Sequence, residues 1–550
     1  MEQWPYYLQL LLVLAPAAVV ALVMTKMKLP ALVGYLLVGI LLGSLGFGID
    51  GDIPHFLAEF GIMTLLFTAG LHIKPAEILK AGKAAVIVLL GQFLLLFVGG
   101  TGIGLWMGLP AVGAGILGIC LWLSSTIVVL GVLERLGESR EPHGQTMMAV
   151  MVMQDLVALL VIALLPTIAN GGTASEVVLG ILLTLAKATG IIALTLLSGK
   201  LIFPRIFPLV EDDYEQQLVW PIGWALLHMG FAHGIGFSPE SAAFFAGISL
   251  STLGYSYIVT DRVRSLTSFG LVFFFMQVGA GITFDSSLLS WPFAAMILVV
   301  IIGTPLINIP SALLAGFSRR AAFVTGLVPA QISEFSLVIL TLAARVHLAD
   351  SRVLGMVTAA TAITMVISSL LASSTNALYQ SMRHHGYFRF WEQYARKFGI
   401  EQMDDTPGRT QWDVVMYGAD TDYLDIAQKL QKAGLSVIVL EPQKRRLRRL
   451  ERYGLQGVKA DYLDPDIVLS FVPNKILIST ADRPYEADLW TIRKLSEHNG
   501  HAVTIAIKPS YIQAKHLEEA GWDMVINPDI EAAKRIWLEL EKRLKDIYFS

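Results

Sequence analysis

Apolar runs of membrane-spanning length, separated by short polar breaks, fill the first 380 positions. Beyond about 381 the pattern changes to short apolar strands alternating with amphipathic helices. A spanning helix needs about 20 mostly apolar residues, and by that measure the first part predicts about thirteen spans. They fall at 6–25, 29–48, 54–72, 83–108, 111–134, 145–167, 176–204, 216–234, 238–254, 265–283, 288–316, 320–346 and 352–380. The second part predicts strands at 413–417, 436–440, 457–460, 475–479, 502–507 and 524–526. Between and after them run helices at 423–433, 445–453, 487–498, 512–520 and 531–546. Such alternation predicts a doubly wound parallel sheet. The expected fold is thus a polytopic α-helical membrane protein followed by a Rossmann-like α/β domain. The divisions are 1–380 for the membrane domain, 381–411 for a cytoplasmic linker and 412–550 for the α/β domain.

Composition agrees with lipid as the main solvent. Apolar residues make up 54%, charged residues 15%, and the mean hydropathy is +0.61. Soluble chains carry about 25% charged residues. The formal net charge of −3 speaks against a nucleic-acid partner. The start of the chain lacks the basic region and small-residue cleavage site of a signal peptide. The single cysteine, Cys120, sits in an apolar run and reads as a small core residue.

Loop charge fixes an expected orientation. One set of alternate loops holds Lys26, Lys28, Lys74, Lys80, Lys83, Arg135, Arg140, Lys200, Arg205, Arg262, Arg264, Arg319 and Arg320; the other holds only Arg345 and Arg352. Basic loops stay inside, so the N-terminus is expected outside and the α/β domain in the cytoplasm of a cell whose inner (plasma) membrane holds the chain.

Three charged side chains lie deep in predicted spans: Asp155, Lys187 and Glu334. Ionisable groups there are costly and mark functional sites by default. Asp155, in Met153-Gln154-Asp155-Leu156, has no basic neighbour in sequence, and a proton and a small cation can compete for such a carboxyl. A structural pairing with Lys187 or an Arg is the other reading. Lys187 itself reads as structural or snorkelling. Two spans are interrupted by polar residues, at Leu123-Ser124-Ser125-Thr126 and at Gln331-Ile332-Ser333-Glu334. Broken helices at mid-membrane offer carbonyls and helix ends to ions, and the odd helix offset between the two suits inverted repeats. Hydroxyls in such places also bond to the backbone of their own helix, and Glu334 can be a structural carboxyl. The glycine-rich stretches 34–48 and 99–118 read as close helix packing.

Several stretches together resemble the monovalent cation:proton antiporter-2 family, in particular the Kef-type potassium:proton antiporters. They are Leu29-Pro30-Ala31-Leu32-Val33-Gly34-Tyr35-Leu36 with Gly39 and Gly43, Ala58-Glu59-Phe60-Gly61 with Gly70-Leu71, Leu123-Ser124-Ser125-Thr126, Gln154-Asp155-Leu156, Phe244-Phe245-Ala246-Gly247, Phe273-Phe274-Phe275 with Val278-Gly279, and Ile332-Ser333-Glu334-Phe335. The resemblance implies the same number of spans, a homodimer, and a transport domain that moves like an elevator against a dimerisation domain. It also implies crossed discontinuous fifth and twelfth helices and an ion site at Gln154 and Asp155. Ser124, Ser125, Thr126, Ser333 and Glu334 fall beside that site. Electrogenic relatives carry two adjacent acids here and a Lys on the tenth helix. This chain has Gln154-Asp155 and no basic residue between 265 and 283, which suggests electroneutral exchange of K+, with Na+ also possible, for H+ across the lipid bilayer.

The α/β part resembles the Rossmann-type (RCK or TrkA-N-like) regulatory domain of Kef proteins and potassium-channel regulators. Its first turn, Gly418-Ala419-Asp420-Thr421-Asp422-Tyr423, keeps one glycine of the G-x-G-x-x-G pattern, and Asp420 and Asp422 oppose a pyrophosphate. Gly418, Glu441 and Asp461 are the candidate nucleotide contacts. A regulatory AMP or NAD(H) is one reading and a purely structural or dimerising domain the other; no cofactor is required for transport. The run Lys444-Arg445-Arg446, with Arg448 and Arg449, reads as a solvated helix face or an anion site. Glutathione-gated Kef proteins carry a loop resembling His-Ala-Leu-Glu before the tenth helix. This chain reads Ile258-Val259-Thr260-Asp261-Arg262-Val263 there and departs from it. Two other classes remain: a ligand-gated cation channel, weakened by the absence of a filter motif, and a membrane-coupled nicotinamide enzyme, weakened by the degenerate glycine turn.

Overall fold

The computed structural model describes residues 5–27, 29–45, 52–72, 75–139, 141–169, 174–210, 213, 215–251, 256–282, 286–384, 412–419, 421–471, 473–480, 485–497, 502–508, 511–528 and 530–537. The predicted linker at 385–411 and the last part of the helix at 531–546 lie outside them. Two compact units emerge. The first comprises Met1–Leu130, Thr146–Ser311 and Thr325–Leu378; the second Gly131–Gln145, Ala312–Val324 and Tyr379–Ser550.

The membrane helices, in chain order, are α1 (Tyr6–Lys26), α2 (Ala31–Ser44), α3 (Asp52–His72), α4 (Pro75–Trp106), α5 (Ala111–Trp122), α6 (Thr126–Leu136), α7 (Pro142–Ala169), α8 (Ala174–Leu201), α9 (Phe203–Val210), α10 (Gln216–Gly234), α11 (Pro239–Ser251) and α12 (Ser256–Ala280). After a short 3-10 turn at Ser286–Leu289 come α13 (Trp291–Ile301), α14 (Gly303–Leu314), α15 (Arg319–Leu327), α16 (Glu334–Arg345), α17 (Ser351–Ser373) and α18 (Thr375–His384). Among the described residues, eight helical stretches are long and apolar enough to cross a membrane, joined by shorter apolar helices at Val13–Lys26 and Ala31–Ser44. Leucines such as Leu94, Leu182 and Leu298 are exposed on these helices, as a lipid-facing surface requires. Helix α4 starts earlier than the sequence pattern suggests. It is bent at Gly82, where φ of +59° is open to glycine and strained for any side chain, and its spanning part begins there.

Both predicted interruptions are real breaks. α5 stops at Trp122 because Leu123 is extended, at φ −70° and ψ 133°. Ser125 then caps α6 by accepting from Val128 N at 3.3 Å. The span predicted at 320–346 is likewise two helices. Pro329 lacks a backbone donor, and Ser333, at φ −75° and ψ 152°, caps α16 by accepting from Phe335 N.

In the second unit the sheet runs β1 (Trp412–Tyr417), β2 (Val437–Leu440), β3 (Gln456–Val458), β4 (Pro473–Ser479), β5 (Val503–Ile507) and β6 (Met524–Ile526), with α19 (Thr421–Lys432), α20 (Lys444–Arg452), α21 (Pro465–Ser470), α22 (Tyr485–Glu497) and α23 (Tyr511–Glu519) between. The strand order is β3-β2-β1-β4-β5-β6, and every pairing is parallel. Strand side chains alternate between two cores. Val415, Tyr417, Ile438 and Leu440 enter one; Val414, Met416, Val437 and Val439 enter the other. Both faces are therefore covered, as a parallel sheet demands. The C-terminal stretch of the second unit runs from Tyr379. The unit also takes in the 131–145 and 312–324 stretches: Tyr462 bonds to Glu141, Ser318 bonds to Asp461, and Arg320 pairs with Glu138 between the two stretches.

Candidate functional site: a crossing of two broken helices

The two breaks touch. Ser333 N donates to Leu123 O at 3.0 Å, and Ser124 Oγ donates to Pro329 O at 2.8 Å. Each break therefore satisfies backbone groups that the other's lost helical turns leave open. Ile332 N finds Thr364 Oγ1 on α17 at 3.2 Å, and Ser368 Oγ donates to Val328 O.

Asp155 of α7 is buried beside this crossing and accepts from Thr126 Oγ1 at 3.0 Å. Thr126 is the first residue of α6, so the carboxylate faces a helix N-terminus, where anions are favoured. Glu334 stands close enough to act on Asp155 electrostatically. It is held by the Ser125 side chain and by its own backbone N–H at the start of α16, while its Oε2 has no hydrogen-bond partner among the described residues. The crossing thus brings together Ser125, Thr126, Asp155 and Glu334.

Gln154 points at the break itself. Its Oε1 accepts from Ser124 N at 3.2 Å, and its Nε2 donates to Trp122 O at 3.0 Å. The side-chain amide stands in for the peptide partners that the interrupted helix lost. Lys187 is exposed and donates to Gly236 O at 3.1 Å, so the alternative pairing with Asp155 is not formed. Sequence reasoning missed Gln92. It is fully buried on α4 and its Nε2 donates to Ser124 Oγ at 3.1 Å. A lone Gln in an apolar span was the signal that could have found it.

In the second unit, Gly418 ends β1 at φ +93°, with Thr480 so near that any side chain would collide with it. Glu441 turns inward from the end of β2. Its two oxygens accept from Ala419 N and Gln443 N, both at 2.9 Å, with Arg446 3.9 Å away. Asp461 accepts from Ser318 Oγ and from Leu463 N. A diphosphate does not fit this turn: the Ala419 N–H is already taken by the Glu441 carboxylate, and the sequence adds two acids, Asp420 and Asp422, to the same stretch. Of the three candidate nucleotide contacts, Glu441 and Asp461 each accept two hydrogen bonds within the unit and Gly418 supplies the left-handed turn after β1.

Broken helices crossed in the middle of a membrane unit, with an acid at the crossing, define the architecture of a secondary ion transporter. The sodium/hydrogen exchanger transmembrane model matches residues 11–375, and the chain belongs to that family of cation/proton antiporters. A TrkA-N domain model matches 424–528. The chain is 25% identical to a putative cation/proton antiporter, YbaL, of Escherichia coli K12 over 95% of both sequences. It is also 25% identical to the glutathione-regulated potassium-efflux protein KefC of Escherichia coli O6:H1, over 94% of this chain and 81% of that one. The sodium proton antiporter MjNhaP1 of Methanocaldococcus jannaschii shares the membrane fold, with a TM-score of 0.50 at 19% identity, covering 68% of this chain and 97% of that one. These relatives are transporters, not enzymes.

Proposed function

We propose that the chain exchanges one monovalent cation, K+ in preference to Na+, for one proton, with Asp155 holding each in turn. The observation that carries this reading is the buried Asp155 at the N-terminus of α6, hydrogen-bonded to Thr126 beside two interlocked breaks. A single exchanging carboxylate makes the cycle electroneutral, since Glu334 is fixed by Ser125 and the α16 N-terminus. Hydroxyls and carbonyls around the exchanging carboxylate suit a large, weakly hydrated cation. The cycle proceeds by an elevator-like movement within a homodimer, in an inner membrane with the N-terminus outside and the α/β domain inside. That domain restrains transport by its hold on cytoplasmic loops. Because a diphosphate does not fit its turn, no step is assigned to a nucleotide.

Purified protein in liposomes loaded with a pH-sensitive dye tests the reading. Adding K+ or Na+ outside should change internal pH, and clamping the voltage with an ionophore should leave the rate unchanged. A ligand-gated channel instead gives a current that follows voltage, and a nicotinamide enzyme gives nucleotide oxidation. Either result overturns the proposal.

Gln92 offers a second check. Replacing it with Leu removes the donor that fixes Ser124 and costs the break about 1–3 kcal/mol. The cation concentration for half-maximal exchange should rise about tenfold, as such an energy implies. A titration of exchange against K+ measures it, and Gln92→Asn should recover part of the loss.

A further inference from the structure

The second unit holds a buried polar network that takes no part in ion binding at the crossing. Its members come from four stretches: Glu138, Glu141 and His143 from the 131–145 loop, Ser318 and Arg320 at the start of α15, Tyr379 in α18, and Asp461, Tyr462 and Asp464 after β3. Glu138 is gripped twice, by Arg320 Nη2 at 2.6 Å and by His143 Nε2 at 2.7 Å. Tyr379 donates to Asp464 at 2.6 Å, and Ser318 donates to Asp461. Tyr462 donates its hydroxyl to Glu141 Oε1 at 3.0 Å.

Glu141 is the odd member. Its side chain is buried, and its carboxyl has one hydrogen-bond partner among the described residues, the Tyr462 hydroxyl. The charged groups around it are mostly acidic: Glu138 from its own loop, Asp461 from the turn after β3, and Glu441 from the end of β2. Asp464 lies in the same turn as Asp461. The basic groups of the network have other partners among the described residues. Arg320 and His143 bind Glu138, and Arg446 of α20 stands 3.9 Å from Glu441. Among the described residues, the remaining nitrogen of Arg320, Nη1, is buried without a partner and does not bond to Glu141. A charged Glu141 would therefore add an uncompensated negative charge to a buried acidic surface, whereas a protonated one is neutral and needs only the hydrogen bond it has.

We infer that Glu141 is a second proton-binding site, separate from Asp155, whose protonation clamps the 131–145 loop onto the nucleotide-fold domain and whose deprotonation frees it. Burial first, then Asp461, push the Glu141 carboxyl up to about 8, against the pull of the Tyr462 hydrogen bond. The clamped state thus holds its proton more tightly than the free loop, whose carboxyl has an ordinary value near about 4.3. The clamp is at full strength below that ordinary value. It weakens up to about tenfold per pH unit as pH rises, then levels off above the raised value. Glu138, at about 2 because Arg320 and His143 outweigh its burial, stays charged through this window and adds no slope. Helix α7 begins at Pro142, directly after Glu141, and carries Asp155. A scarcity of cytoplasmic protons therefore loosens the loop that leads into the ion-binding helix. The effect on transport rests on the antiport reading; the clamp itself does not.

Hydrogen–deuterium exchange on the full chain in nanodiscs tests the clamp without any transport assay. After correction for intrinsic rates, exchange in 131–145 and 456–471 should rise steeply between pH 6.5 and 8 in the parent. In Glu141→Gln, a permanent mimic of the protonated acid, it should stay low and flat. In Tyr462→Phe, which removes the bond that favours the charged form, the rise should continue to higher pH before it levels off. A flat parent profile, or the parent's slope retained in Glu141→Gln, overturns the inference. In liposomes the parent should exchange faster as the pH on the cytoplasmic side rises, and Glu141→Gln should lose that acceleration. An absence of exchange in the parent would defeat the antiport reading alone, since the nanodisc result stands independently.

Discussion

Asp155→Asn should abolish cation-driven proton movement, with the rate falling at least about a hundredfold, equivalent to about 2.7 kcal/mol or more of lost stabilisation. The amide matches the carboxyl in size and can still accept from Thr126 Oγ1, which donates to Asp155 at 3.0 Å. It cannot take up or release a proton, and it brings no charge to a cation. Packing is preserved while both exchanged species lose their seat, which separates chemistry from misfolding. Dye recovery in liposomes reads the rate, and an unchanged thermal unfolding temperature confirms that the fold survives. Thr126→Ala is the milder companion. It removes one donor and one oxygen ligand, and should slow exchange about tenfold. An Asp155→Asn protein that exchanges as briskly as the parent would remove the basis of the mechanism.

Arg320→Leu should cost about 3–5 kcal/mol, the usual penalty for removing one partner of a buried ion pair. The guanidinium lies 2.6 Å from Glu138, and both side chains are almost entirely enclosed. Without it, the side-chain partner of Glu138 that remains among the described residues is His143, 2.7 Å away. The pH dependence has a definite sign. Glu138 is held down at about 2, below the ordinary carboxylate value, so its contribution is present at neutral pH and is lost as pH falls from about 4.3 toward 2. The gap between parent and variant should therefore be wide at pH 7 and shrink in strong acid. Thermal unfolding measures the loss, and limited proteolysis should show new cleavage in 131–145. Adding Glu138→Gln to Arg320→Leu should restore part of the stability, because the stranded charge is then gone.

The two halves of the chain were legible for different reasons. Spans follow from apolar length alone, and the sheet strands from apolar runs buried on both faces, so the expected strands lie within a residue or two of those found. The breaks were legible because Ser124-Ser125-Thr126 and Ile332-Ser333-Glu334 put polar groups where lipid tolerates few. Contacts between distant segments were not legible. Gln92 carries no local signal that it meets Ser124, thirty-two residues away. Arg320 counted only as a marker of orientation, and nothing in its vicinity announced Glu138. Asp461 read as a candidate nucleotide contact, and nothing in the sequence announced that it receives the hydroxyl of Ser318. The short helix α21 was missed because Pro465–Ser470 is too brief for a periodic pattern.

The glycines of the membrane unit have one more implication. Gly61 of α3 meets Gly270 of α12 backbone to backbone, Gly70 of α3 meets Gly247 of α11 in the same way, and Gly39 and Gly43 of α2 lie against Met276 and Ala280 of α12. With no side chains between them, such helices interlock like fitted timbers and have no lubricating layer on which to slide. These four helices must travel, or stay still, as a single piece. Any displacement that carries an ion across the bilayer has to find its slip plane elsewhere, along seams lined by bulkier side chains.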